Sequence, residues 1–111
     1  MSITYETQAL LLDLGIGYWL NGFEIVGEAI DIVRVNLRKN ESQNYYKILA
    51  ERNGMDGKQV SDVIRRTVAV AWRGHKDAMH RTLGIGLEQP PAPRWFVYTA
   101  AEYLNEQEEK R

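Results

Sequence analysis

The chain has no cysteine. A disulfide framework and a thiolate zinc site are both excluded, and a reducing compartment is the default expectation. Proline occurs only at Pro90, Pro91 and Pro93, so a single proline-rich linker, residues 88–93, marks a connection between helices and not a second domain. No apolar run approaches the roughly 18 residues needed to cross a bilayer. The amino-terminal stretch MSITYETQALLLDLGIG also lacks the basic region of a secretory signal. A cytoplasmic protein without a membrane partner is expected. Basic residues are missing from the first 33 positions.

What is present fits one compact domain over residues 1–111. A length of 111 residues, 44% hydrophobic and 10% aromatic, suffices for one core and leaves no room for a second. The net charge of -1 conceals a polarity along the chain. Residues 1–33 carry five acids and no base; residues 34–81 carry eleven Lys or Arg against five acids; residues 82–111 return to three bases and five acids. A basic middle between acidic ends suggests one face built for phosphates. An unevenly charged solvated surface is the alternative.

Hydrophobic periodicity reads as helix after helix, with no credible strand pair. Ile3, Leu10, Leu11 and Leu14 share a face in the first helix, stopped by Gly15 with Ile16 returning to the core. Phe23, Val26, Ile30, Val33 and Leu37 mark a well-buried second helix ending near Arg38. Tyr45, Ile48 and Leu49 mark a third over residues 42–53, which Gly54 ends. A fourth runs over 56–74, a short fifth continues until Gly84, and a sixth spans about 94–107. The tetrapeptide LGIG occurs at 14–17 and again at 83–86. Both copies come after helices, where a dinucleotide loop needs a preceding strand, so helix termination is the reading.

The fourth helix has two unlike faces. Val60, Val63, Ile64, Thr67, Val68, Ala71 and Trp72 form one apolar stripe; Lys58, Gln59, Ser61, Asp62, Arg65 and Arg66 project from the other face within three turns. Asp56 is a natural N-cap and Gln59 completes a capping box. Upstream, Ala50, Gly54, Met55, Val60 and Val63 fall at helix-turn-helix spacing. The spacing wants a small residue where two helices cross, a glycine in the turn, and apolar residues clamping the second helix onto the first. In that motif, here about 42–74, the second helix enters the major groove and places its first residues on base edges.

Other chemistry is thin. His75 and His80 are five apart, off the spacing that puts two imidazoles on one helical face, and no nearby acid or thiol joins them, so no metal is expected. Glu24 and Glu28 share a face, yet nothing nearby supplies a nucleophile or a shifted pKa. No cofactor and no enzymatic activity are expected. Trp19, Trp72 and Trp95 are read as packing residues.

Nearly the whole chain, most firmly Leu14 to Leu83, resembles the C-terminal DNA-binding domain of the sporulation master response regulator of spore-forming Firmicutes. The matching residues are LGI at 14–16, NGF at 21–23, EAI at 28–30, LA at 49–50 and above all VSDVIRRTVAVAW at 60–72. The resemblance implies a six-helix all-α domain of the winged-helix-like effector class without a wing, with the motif in its third and fourth helices. It implies a transcription regulator of double-stranded DNA, acting as a homodimer or as tandem copies. Where the family carries a Glu-Arg pair and then Arg, this chain has Ser61, Asp62 and Arg65. An Asp in place of a guanine-reading Arg removes a contact worth about 1–3 kcal/mol of discrimination, so the family's target sequence does not carry over. The family's regulators place a phosphorylatable receiver domain ahead of this one; here the chain starts at the first helix, so control through a receiver is not expected.

The sequence thus predicts a six-helix, all-α helix-turn-helix protein. Arg65 would be the principal base reader, with Gln59, Ser61 and Asp62 as further base-facing positions, and Lys58, Arg66 and Lys47 as phosphate anchors. A protein-protein interaction module that keeps the fold without specific DNA reading is the alternative.

Overall fold

Five helices account for the fold in the computed structural model, which describes residues 3–111. They are α1 (Tyr5–Asp13), α2 (Phe23–Lys39), α3 (Tyr45–Asn53), α4 (Gly57–Leu83) and α5 (Pro93–Glu109), and no strand occurs among the described residues. The all-α expectation holds; the expected six helices do not. The fourth and fifth expected helices are one helical run, interrupted only at His75, whose φ of -138° and ψ of 34° leave the helical region. Gly74, the expected end of the fourth helix, does not take the left-handed φ that a glycine cap needs. The helix therefore passes through it and kinks one residue later.

The glycines that do end helices adopt that conformation. Gly54 (φ +64°) and Gly84 (φ +71°) cap α3 and α4. Gly15 (φ +84°) comes after α1 in a turn where Ile16 N–H reaches the Leu11 carbonyl at 2.7 Å and Gly15 N–H reaches that of Leu12 at 3.1 Å. Both LGIG copies are thus helix ends. The α5 boundary falls at Pro93, whose fixed φ and missing N–H suit the first turn of a helix.

Helix α2 is central and packs against each of the other four. Its Val26, Ala29, Ile30 and Val33 are wholly buried with Leu11, Leu14, Leu49, Val60, Ile64, Val68, Phe96 and Ala100 in one core. Full burial of each large aliphatic or aromatic side chain contributes about 1.5–3 kcal/mol. Arg34, 4% exposed, lies at the α1–α2–α5 junction. Its Nε donates to Asn105 Oδ1 (3.1 Å), Nη1 to the Thr4 and Thr7 hydroxyls (3.2 and 3.4 Å), and Nη2 to Glu108 Oε2 (2.9 Å). A charge that deep is tolerated because nearly every donor is satisfied.

Helices α3 and α4 are joined by Gly54, Met55 and Asp56 alone. The Asn44 side chain caps α3 by accepting from Tyr46 and Lys47 N–H. At α4 the Asp56 carboxylate accepts from Gln59 N–H while Gln59 Oε1 accepts from Asp56 N–H, both at 2.8 Å, which is the expected capping box. This reciprocal pair fixes where α4 begins.

A candidate nucleic-acid interface on helix α4

The first half of α4 carries the expected two faces. Val60, Ile64, Thr67, Val68, Ala71 and Trp72 are buried, and Val63 is half-buried against the core. Lys58, Gln59, Arg65 and Arg66 are exposed, whereas Ser61 and Asp62 are only partly so. With about 100° between successive helical residues, Arg65 and Arg66 sit on opposite shoulders of the exposed arc, and Asp62, Ala69 and Arg73 lie between them.

Arg65 is not a free cation. Its Nη2 donates to Asp62 Oδ1 at 2.6 Å, with the two side chains 55% and 28% exposed. The pair holds Arg65 along the helix surface and leaves its other guanidinium donors unengaged. Arg66 and Lys58 have no carboxylate within 4.0 Å among the described residues. The start of α3 lies against the start of α4, where a Cβ on Gly57 would come within 3.8 Å of Tyr46 Cβ. Exposed Lys47 and Lys58 are the chain neighbours of these two contacting residues. Gln59, one of the expected base-facing positions, commits its Oε1 to the capping box and keeps its amide donors.

Other basic residues of the middle segment serve the fold. Arg34 is buried at its junction, Arg38 lies 3.6 Å from Glu108, and Arg52 lies 3.9 Å from Glu28. Glu108 of α5 is shared between Arg34 and Arg38 of α2. The exposed bases along α4 are Lys58, Arg65, Arg66, Arg73, Lys76 and Arg81, with the acid Asp77 exposed beside them, and Lys76 Nζ lies 4.5 Å above the Trp72 ring.

The tryptophans divide differently from expectation. Trp72 is buried and its Nε1 donates to the Gly86 carbonyl at 3.0 Å. Trp19 and Trp95 are 66% and 47% exposed, because each sits outside the periodic stripe that the core selects. The imidazoles of His75 and His80 turn back to the Ala71 and Ile85 carbonyls, at 3.1 and 2.9 Å.

Comparison with protein-family models, with characterised proteins and with solved structures finds no match to this chain.

Proposed function

We propose that the chain is a double-stranded-DNA-binding transcriptional regulator of the helix-turn-helix kind, akin to the effector domain of the sporulation response regulators, and that α4 enters the major groove. One observation carries this reading. The amino-terminal half of α4 buries one face in the core and offers Lys58, Arg65 and Arg66 to solvent on the other, directly after a three-residue turn from α3. Arg65 reads a base edge; Lys58, Arg66 and Lys47 hold phosphates and set the register. Gln59 and Ser61 make secondary contacts. Asp62 orients Arg65 and excludes bases that present only acceptors to it.

The Arg65–Asp62 ion pair also favours a second reading, a protein-interaction module on the same fold, since it occupies the main base-reading cation with a carboxylate. A titration of mixed-sequence duplex across a salt series separates the two. Each neutralised phosphate contributes about 0.9 to the slope of log affinity against log salt. DNA binding predicts a steep negative slope, lowered by about one in Arg66→Ala. Arg65→Ala loses about 1–3 kcal/mol at the preferred sequence and relaxes discrimination there. Absence of binding at low salt leaves only the interaction module.

A further inference from the structure

The segment between α1 and α2 crosses α4 closely at two points. Gly15 faces His75, where a Cβ would fall 2.2 Å from the imidazole Nδ1; Gly22 faces Thr67, where a Cβ would fall 1.9 Å from Oγ1 and 3.1 Å from a Val63 methyl. Only residues without side chains permit this approach, so the segment crosses α4 over about three helical turns, and its Gly22 end lies on the shoulder that carries Arg66.

Between the two runs a shallow depression of about 260 Å³ is lined by Leu20, Asn21, Val63, Arg66, Thr67 and Val70. No carboxylate lines it, whereas four other surface depressions each carry at least one. Neighbouring Tyr18 and Trp19 are 74% and 66% exposed and pack edge to face, with centroids 5.3 Å apart. The Trp19 ring lies over Gly17, where a Cβ would come within 2.2 Å of it. The indole is thus held against backbone while much of its surface meets solvent.

We propose that this shelf is a second DNA-contacting element, seating one sugar-phosphate strand that flanks the groove entered by α4. The inference rests on α4 being the groove-entering helix. The chemistry matches a nucleic-acid strand. Arg66 and the Asn21 amide donate to phosphate oxygens, the Tyr18 hydroxyl and Trp19 indole N–H add donors at the lip, and Leu20, Val70 and the rings cover deoxyribose. An apolar floor beside one guanidinium, without a carboxylate, suits alternating sugars and phosphates better than a protein surface of mixed charge.

The test uses the full chain with Trp95→Phe, which leaves Trp19 as the exposed indole beside buried Trp72. Acrylamide quenching of its fluorescence is measured with and without a mixed-sequence duplex of two helical turns, about 20 base pairs, while anisotropy of labelled duplex reports binding. Protection of Trp19 is expected on DNA binding. Trp19→Ala and Asn21→Ala are expected to weaken affinity about fivefold each, equally on unrelated sequences, as lost backbone contacts do. Trp19→Phe should recover part of the loss, and circular dichroism melts should match the parent. If the chain binds DNA while Trp19 stays fully quenchable and both variants bind as the parent does, the shelf is not a contact and α4 alone stands. If the chain does not bind DNA, both readings fall. If Trp19 becomes protected with rising protein concentration in the absence of DNA, a second copy of the chain covers the shelf and the proposal is overturned.

Discussion

If Arg65 reads the groove as proposed, the carboxylate beside it would work against DNA affinity and for selectivity. Asp62 lies at the centre of the exposed arc of α4, bonded to Arg65, where it would face the negative field of the duplex. Replacing it with asparagine keeps an acceptor for Arg65 and removes the charge. Asp62→Asn is therefore expected to tighten binding to mixed-sequence duplex severalfold at low salt while narrowing the gap between good and poor sequences, as read by competition titrations. Unchanged affinity would mean that Asp62 lies away from DNA. At the same scale, burial pushes the Tyr45 phenol above its ordinary pKa, and the neighbouring Tyr46 adds to the shift. A raised folded-state pKa keeps the full contribution below the unfolded value of about 10 and loses it as pH rises beyond that. Tyr45→Phe is expected to reduce the loss of thermal stability between about pH 9 and 11, on either side of that value, checked by melts at both ends. The apolar stripe of α4, its caps and its exposed cations are legible residue by residue, because each is set by local spacing. The pairing of Arg65 with Asp62 is equally local, three positions apart, yet a comparison of base-reading positions alone does not bring it out. Burial of Arg34 is not legible, since its partners Asn105 and Glu108 lie on the last helix and only tertiary packing brings them together.

Among the elements, two glycines of the same motif region behave oppositely, and substitution separates them. Gly54 sits at φ +64° with no atom within 4 Å of a Cβ built there, so Gly54→Ala meets no clash and costs only the left-handed conformation, about 1–2 kcal/mol. Gly74 has the same open surroundings but not a left-handed φ, and lies within the helical run. Gly74→Ala is expected to stabilise by about 0.5–1 kcal/mol by restricting the unfolded chain. Thermal melts of the two variants should shift in opposite directions by several degrees. Shifts of the same sign would contradict the cap assignment. This difference is why periodicity overcounts the helices: a glycine after an amphipathic run looks like a stop whether or not the chain turns there. Whether it turns is decided by the residues beyond it. After Gly54 the capped Asp56 starts a new direction; after Gly74 the chain stays helical and kinks at His75, whose ring packs over Gly15 of a segment remote in sequence.

Across the whole molecule, charge is sorted by the packing of α2 and α5. Glu108 of α5 meets Arg34 and Arg38, which ties these two cations of the basic middle segment to the fold, while α4 carries six exposed bases. No helix among the described residues is long and apolar enough to cross a membrane. The near-neutral net charge is thus compatible with a local phosphate-binding face, and that polarity is already visible in the order of residues along the chain. On the proposed function, this face of α4 meets duplex DNA. Amide chemical-shift mapping of the isotopically labelled chain, titrated with a two-turn mixed-sequence duplex at low salt, tests it most directly. The largest perturbations are expected at Lys58 to Arg66, with smaller ones at Lys47 and little change at the Arg34–Glu108 junction. Perturbations confined to α5, or none at saturating duplex, would rule out DNA contact by this face.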